Sequence, residues 1–198
     1  TFKNNYTFNL LNFCCFKNIY NLYFNMDYRF KNTDLIFSIL KSGDFRDDSG
    51  LYFSYNNFKV LLDVDSNFIN FGKLPEVDLY CSSYAGGATA FPLMFDNYNL
   101  EFKKSRQKID SLYVLNDRLK NIKLTKSKYF LPYAGSFKTK LKRDSFITKN
   151  LYKNSIDTYQ SRLKEQSVKV LDYRKNKQFI FKNSQLCKAR KINPGKII

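Results

Sequence analysis

The chain lacks histidine entirely, has only four cysteines in 198 residues, and contains no long uninterrupted apolar segment. Without histidine it has neither the commonest general base nor the commonest nitrogen ligand for a metal ion. Any catalysis must therefore use carboxylate, Tyr, Lys, Ser or Cys side chains, or complete a site whose other residues come from elsewhere.

The four cysteines do not match a disulfide framework or a metal-binding pattern. Cys14 and Cys15 are adjacent, Cys81 and Cys187 are far apart, and no Cys-x-x-Cys occurs. This spacing is typical of reduced thiols, so we expect a cytoplasmic protein. Cys81 lies in an apolar run that predicts a central strand, which favours a buried, inert thiol over a nucleophile.

No membrane span or signal peptide is predicted. The most apolar stretch, residues 8–24, is interrupted by four asparagines and Lys17. The N-terminus lacks the basic start and small-residue cleavage site of a signal peptide. The sequence begins with Thr1 rather than methionine, which indicates a processed or partial protein.

The net charge of +17 is confined to the second half of the chain. Residues 1–100 carry eight Lys or Arg against ten Asp or Glu, whereas residues 101–198 carry 26 against seven. Such an imbalance favours an anionic partner. Most of the basic residues are lysines, although arginine is the better bidentate ligand for phosphate. An anionic small molecule is therefore favoured over nucleic acid as the partner. Codon bias towards Asn, Lys, Phe, Tyr and Ile also explains part of the composition.

Basic side chains that could attract such an anion are Lys103, Lys104, Arg106, Lys140, Lys142 and Arg143. For each of them the alternative is an ordinary solvated surface position.

Hydrophobic patterning divides the chain into a poorly defined N-terminal segment with helical character (1–33), an α/β domain (34–181) and a basic C-terminal tail, loose at its end (182–198). Asn56 and Asn57 join two apolar runs, which predicts a β-hairpin. The predicted strands are residues 34–40, 50–55, 58–64, 79–82, 129–132, 168–171 and 178–181.

Two helices are predicted, over residues 98–123 and 155–164. The longer helix repeats apolar residues at steps of roughly three and four, and its predicted buried face consists of Phe102, Ile109, Leu112, Leu119 and Ile122.

Two acidic clusters are candidates for metal binding. Asp47 and Asp48 lie in the segment 43–50, and Asp65 directly follows an apolar strand. Carboxylates at strand ends can hold a hard or borderline cation, because the strands fix the positions of the oxygens. The alternative for the first cluster is a simple turn, since Asp and Gly are both favoured in turns.

Two small-residue loops are candidates for substrate binding. The first contains Gly86 and Gly87 after a short apolar strand, and the second contains Gly135. Such loops let backbone approach a ligand closely, because no Cβ blocks it. Tyr84 and Tyr133 adjoin the loops and either line a pocket or simply pack.

Four of these segments together resemble a known family. Residues 43–50, 61–68, 84–92 and 132–135, in this order and spacing, are similar to the C-terminal half of the metallo-β-lactamase-like domain of CMP-N-acetylneuraminate hydroxylases and their bacterial relatives. The most specific signatures are Ala-Gly-Gly-Ala-x-x-Phe-Pro and Pro-Tyr/Phe-Ala-Gly. The resemblance covers roughly residues 34–171.

The resemblance implies the second half of an αββα sandwich, with a mixed sheet flanked by helices. It also implies that Asp65 ends the strand whose carboxylate binds a divalent metal, iron or zinc, in the complete enzyme. Ala134 stands where many members of the superfamily have a metal-binding histidine. The histidine-rich motif, and any Rieske iron–sulfur domain, would lie upstream of Thr1.

The resulting expectation is part of a metal-dependent monooxygenase or hydrolase that acts on an anionic, nucleotide-sugar-like substrate. Its partners would be the missing N-terminal half or an electron-donor protein. This chain alone would hold neither cofactor and would be inactive. The alternative is a non-catalytic basic module that binds RNA or an acidic protein.

Overall fold

A computed structural model describes residues 6–44, 48–66, 68–86, 90–135, 141–176 and 178–190. Within these residues, seven strands form one mixed sheet in chain order. The strands are β1 (Asp27–Arg29), β2 (Ile36–Lys41), β3 (Ser49–Tyr55), β4 (Phe58–Asp63), β5 (Leu79–Ser83), β6 (Tyr129–Ala134) and β7 (Lys169–Val170). The pairs β1–β2, β2–β3 and β3–β4 are antiparallel, and the pairs β4–β5, β5–β6 and β6–β7 are parallel.

The helices in the described ranges are α1 (Tyr6–Phe13), α2 (Leu100–Leu124), α3 (Ser145–Asn150) and α4 (Ile156–Leu163). A separate hairpin consists of β8 (Gln178–Lys182) and β9 (Gln185–Arg190). The prediction of an α/β chain with a mixed sheet is confirmed.

The predicted β3–β4 hairpin is also confirmed. Asn56 and Asn57 have φ values of 47° and 63°, which is the left-handed conformation that a tight two-residue turn requires. Strand β5 lies between β4 and β6, as its continuous apolar character predicts.

The two faces of the sheet are covered differently. On one face, α2 and α4 pack on Leu61, Tyr80 and Phe130, and these residues belong to the larger apolar core. On the other face, Val60, Leu79 and Cys81 are buried, and Phe179, Phe181 and Leu186 of the β8–β9 hairpin pack against them. A cavity of about 630 Å³ lies between this face and the hairpin.

The predicted apolar face of α2 is largely wrong. Phe102, Ile109 and Leu112 are exposed, by 47%, 57% and 51%. The residues that α2 buries are mostly polar: Lys103, Gln107, Ser111, Leu115, Arg118 and Ile122. These positions still recur at helical spacing, but their polar groups find partners in the loops beneath α2, so hydrophobicity does not reveal the buried face.

Three predicted boundaries need correction. The sheet starts before residue 34, because β1 pairs with β2 and Tyr28 stacks on Phe37. Strand β6 continues past Pro132. Strand β7 pairs with β6 as far as Phe130, so at Pro132 strand β6 has a single neighbouring strand, β5.

The predicted basic tail, residues 182–198, contains a strand, β9, and its end, residues 191–198, lies outside the described residues. The turn residues Asn183 and Ser184 both have positive φ (49° and 58°), which allows the hairpin to close. Leu186 then packs on the second face of the sheet.

In the part of the chain that the structure describes, no helix has the length and apolar content needed to cross a bilayer.

Candidate functional site

Most of the predicted site residues meet at one end of the sheet, which we call the site end. It comprises the start of β3 and the C-terminal ends of β4, β5 and β6. The register fixes this arrangement, because Asp63 pairs with Ser82 and Ser82 pairs with Pro132. Asp48 immediately precedes β3 and Asp65 follows β4 by two residues, so both carboxylates lie at the site end.

The two glycine turns pack directly on each other at this end. Gly135 has φ +113°, and a Cβ placed on it would lie 2.6 Å from the Cβ of Ala85. Gly86 has φ +62°, and a Cβ there would lie 2.7 Å from the Cα of Ser111 on α2. Both glycines are therefore required by close packing, whether or not a ligand approaches them.

Buried polar groups hold the turn after β5. The Asn154 side chain donates to the carbonyl of Tyr84 (3.2 Å) and to that of Ser111 (2.7 Å). The Asn154 amide donates to the carbonyl of Ala85 (2.6 Å), and the Tyr159 hydroxyl also donates to that of Tyr84 (2.9 Å). The backbone at the first glycine turn is thus fixed before any ligand binds.

The side chain of Tyr84 points into the core. It is 6% exposed, and its hydroxyl lies 3.0 Å from that of Tyr173. Burial, together with that hydrogen bond, raises the Tyr84 pKa. This placement agrees with the packing interpretation, and a substrate contact by Tyr84 stays a prediction.

Tyr133 has a different environment because of a β-bulge. Ser82 pairs with Pro132 and Ser83 pairs with Ala134, so Tyr133 is the extra residue on β6. A bulge redirects a side chain at a strand end. Burial and nearby acidic groups, Asp65 among them, raise the Tyr133 pKa to about 12. Tyr133 therefore lies at the end of β6 that shares the site end with Asp65.

Beneath the site end lies a buried ion pair. Arg118 on α2 donates through Nη1 to Asp63 Oδ2 at 3.2 Å, and the Tyr80 hydroxyl donates to the same oxygen at 2.7 Å. Burial raises the pKa of Asp63 to about 6, although Arg118 and the Tyr80 hydrogen bond act in the opposite direction. Desolvation outweighs the attraction of the arginine here.

The same region contains buried oxygens without partners. Within the described ranges, Asp63 Oδ1 and Ser66 Oγ are buried and make no hydrogen bond. Such atoms are uncommon in folded proteins and often face an ordered water or a ligand group. Both atoms belong to the segment that contains Asp65.

The described residues do not form a complete metal centre. No group of three or more His, Cys, Asp or Glu side chains that could hold an ion occurs among them. Asp47 lies outside the described residues, and Ala134 supplies no ligand atom at the end of β6. The carboxylates of the described residues do not gather into such a group, and a metal role for Asp65 and Asp48 stays a prediction.

The predicted anion-binding residues are dispersed. Gly87 and Lys140 lie outside the described residues. Arg143 is exposed and 3.4 Å from Asp144. Lys103 is buried with its Nζ over the Phe146 ring. Arg106 is exposed and pairs with Asp110 one turn along α2 (3.0 Å), which agrees with a solvated helix face.

Hydrophobic periodicity did not identify Gln107, Ser111 and Arg118. The Gln107 side-chain oxygen accepts a hydrogen bond from the backbone amide of Tyr152 (3.1 Å), and Ser111 packs beneath Gly86. A signal was present, because these residues recur at helical steps together with Leu115 and Ile122. Polar residues at the helical spacing of a buried face indicate loops that need hydrogen-bond partners.

Comparison with known proteins finds similarity to one enzyme over part of its length. Cytidine monophosphate-N-acetylneuraminic acid hydroxylase of Pan troglodytes is 30% identical over 138 residues, which is 68% of this chain and 23% of that protein. The Danio rerio hydroxylase is 32% identical over 111 residues, 54% of this chain and 19% of that protein.

The inactive cytidine monophosphate-N-acetylneuraminic acid hydroxylase of Homo sapiens is 30% identical over 138 residues and is covered to 28%. No family model matches the chain. The chain thus spans roughly a quarter of the length of these relatives, and the similarity supports a related function.

Proposed function

We propose that this chain is the C-terminal part of an enzyme related to cytidine monophosphate-N-acetylneuraminic acid hydroxylase, acting on an anionic, nucleotide-sugar-like substrate. One observation carries the proposal: Asp65 and both glycine turns converge at the site end of a chain that is 30% identical to such hydroxylases over 138 residues. In this proposal the site end is one wall of a substrate pocket.

The coverage of the sheet supports a metallo-β-lactamase-like αββα arrangement. Helices α2 and α4 cover one face, as the outer layer of such a sandwich would. The other face is covered by the β8–β9 hairpin over Val60, Leu79 and Cys81, with a cavity of about 630 Å³ between them. A second sheet from the rest of the enzyme would pack on this face beside the hairpin in the proposed arrangement.

A divalent metal, iron or zinc, would be shared with the rest of the enzyme. Asp65, with Asp47 and Asp48, would contribute carboxylate oxygens. Because the described residues do not complete a site, we assign no reaction step to them. A Rieske cluster or an electron-donor protein would enter only through other parts of the enzyme.

The basic second half would draw the anionic substrate towards the site end. Residues 101–198 carry 26 Lys or Arg against seven Asp or Glu, and α2 and β6 both belong to this half. A positive field raises the local concentration of a substrate that carries phosphate and carboxylate.

Calorimetric titration of the chain tests the substrate class. We expect cytidine monophosphate-N-acetylneuraminic acid to bind, and a neutral sugar such as N-acetylmannosamine not to bind. Gly135→Val should abolish binding, whereas Glu76→Gln, an exposed position beside Val77 at the opposite end of the sheet, should preserve it. Equal affinity for the neutral sugar, or unchanged binding by Gly135→Val, would contradict the proposal.

An activity assay tests the dependence on other residues. We expect residues 1–198 alone to form no hydroxylated product with iron and a reductant, and activity to require a histidine-bearing partner segment. Turnover by the isolated chain would refute this part of the proposal.

The charge of the second half also favours one other function, a basic module that binds RNA or an acidic protein. A salt series with a single-stranded RNA separates the two functions. Tight binding that falls steeply with salt, without binding of the nucleotide sugar, would favour the module.

A further inference from the structure

Arg118 contacts two neighbouring strands at the site end. Its Nε donates to the carbonyl of Ser83 at 3.1 Å and its Nη2 to the Ser83 hydroxyl at 3.3 Å. Its Nη1 donates to Asp63 on β4 at 3.2 Å and to Asp117 at 2.8 Å. One planar guanidinium thus links the last residue of β4 to the last residue of β5.

Ser83 connects Arg118 to the turn that contains Asp65. The Ser83 hydroxyl donates to the carbonyl of Val64 at 2.6 Å. Ser83 is also the β5 residue at the bulge that makes Tyr133 an extra residue on β6. Asp65 directly follows Val64, and Tyr133 directly precedes Ala134, which pairs with Ser83. Arg118 is therefore linked through Ser83 to the residue next to each of these two predicted site residues.

The chemistry requires arginine at this position. The guanidinium has five donors in a fixed plane, which allows simultaneous bonds to a carboxylate, a carbonyl and a hydroxyl. A lysine ammonium is a point charge without this fork. Arg118 is 4% exposed, so water does not readily replace a lost donor.

We propose that Arg118 is the positioning residue of the candidate site, fixing the Asp65 turn relative to the bulge at Tyr133 and the glycine turn after β5. Arg118 acts through Asp63 and Ser83 and makes no contact with substrate. The inference rests on the proposed function only in treating the site end as a substrate site.

Amide hydrogen exchange by NMR tests this inference without any ligand. The reporters at the site end are the amides of Tyr84, which donates to Ala134, and Asn154, which donates to Ala85. The reporters at the opposite end are the amides of Val77, which donates to Thr125, and Asp78, which donates to Lys59. The variants are Arg118→Met and Arg118→Lys.

We expect both Arg118 variants to speed exchange at Tyr84 and Asn154 by about tenfold more than at Val77 and Asp78. Arg118→Lys should recover much of the global stability, because it keeps a charge beside Asp63, but should not recover the protection of Tyr84. Tyr80→Phe is the control, since it removes a hydrogen bond to Asp63 and leaves the Ser83 contacts in place.

Equal acceleration at all four amides would make Arg118 a general stabiliser and overturn the inference. A Tyr80→Phe variant with the same local pattern would overturn it as well. These outcomes are separate from failure of the proposed function: local exchange as expected, in a chain that binds no nucleotide sugar, would remove the proposed substrate and leave the positioning role of Arg118.

Discussion

Each end of the parallel strands contains an aspartate in an ion pair, and the two ion pairs differ in their exposure to solvent. At the site end, Asp63 and Arg118 form a pair whose side chains are 2% and 4% exposed. At the other end, Asp78 precedes β5 and pairs with Lys128 at 3.0 Å, and the lysine side chain is 63% exposed. Both members of the pair are buried at the site end, whereas at the other end a largely buried aspartate pairs with an exposed lysine.

This difference in burial predicts how strongly each end of the sheet depends on its ion pair. Breaking a buried pair leaves an uncompensated charge in a place that water does not reach, whereas an exposed pair exchanges its partner for water. The site end therefore depends on each member of its polar network, and the opposite end tolerates change.

Removing the cation should affect the two ends very differently. We expect Arg118→Met to lower the free energy of unfolding by about 3–5 kcal/mol, because Asp63 stays buried without its counter-charge. Lys128→Met should cost less than about 1 kcal/mol. Urea unfolding followed by circular dichroism measures both. Losses of similar size would end the contrast between the two ends.

A methyl group should be tolerated least where the glycine turns meet. Gly135→Ala places a Cβ 2.6 Å from the Cβ of Ala85 at a φ of +113°, and we expect a loss of about 2–3 kcal/mol. Gly72→Ala is the matched control, because Gly72 also has positive φ (+80°) but its new Cβ would meet only the Phe68 ring, at 3.0 Å.

The thermal midpoints of the two glycine variants provide the comparison. A midpoint for Gly72→Ala at or below that for Gly135→Ala would indicate that backbone strain, and not contact between the two turns, determines the cost.

Acid should act with opposite sign on two buried carboxylates, Asp63 and Asp172, whose pKa values are shifted in opposite directions. Burial raises the pKa of Asp63 from 3.8 to about 6, so the folded state holds this proton more tightly than the unfolded state. The resulting stabilisation is present below the unfolded value and is lost as pH rises through about 6. Between pH 4.5 and 7 the wild type should lose about 2 kcal/mol relative to Asp63→Asn.

Asp172 supplies the opposite case. Its hydrogen bonds with Arg174 lower its pKa, so its stabilisation is present above the ordinary value and is lost on acidification. Urea midpoints at several pH values, for wild type, Asp63→Asn and Asp172→Asn, measure both slopes. Slopes of the same sign would contradict the assignment of Asp63 as a carboxyl group governed by desolvation.

The smallest effect concerns the middle of β5, between the two ends. Cys81 is buried and burial raises its thiol pKa to about 12, whereas Cys14, Cys15 and Cys187 are exposed. We expect three thiols to react with Ellman's reagent in the folded protein at pH 8, and the fourth only after unfolding. Fast reaction of Cys81 would indicate that the sheet face under the β8–β9 hairpin is open.

The sequence was informative where local chemistry and the fold agree. The Asn56-Asn57 turn, the central strand β5 and the helix capped by Ser155 follow from short-range patterns, and the structure contains all three. The convergence of Asp65 and the two glycine turns also follows, because the C-terminal ends of parallel strands share one edge.

The buried face of α2 could not be predicted in the same way. Its polar residues are buried because long-range partners satisfy them: Ser83 and Asp63 for Arg118, and the Tyr152 amide for Gln107. Hydrophobic periodicity instead indicated Phe102 and Ile109, which are exposed. Pairing over distances of 35 to 55 residues leaves no signature in a local window.

NMR mapping of cytidine monophosphate-N-acetylneuraminic acid on the isotopically labelled chain tests directly where this ligand binds. We expect chemical-shift changes at the amides of Tyr84, Gly86 and Gly135, and unchanged amides at Lys59, Asp78 and Lys128. Shifts concentrated at the opposite end, or none at saturating ligand, would contradict the claim that the site end is one wall of a nucleotide-sugar pocket.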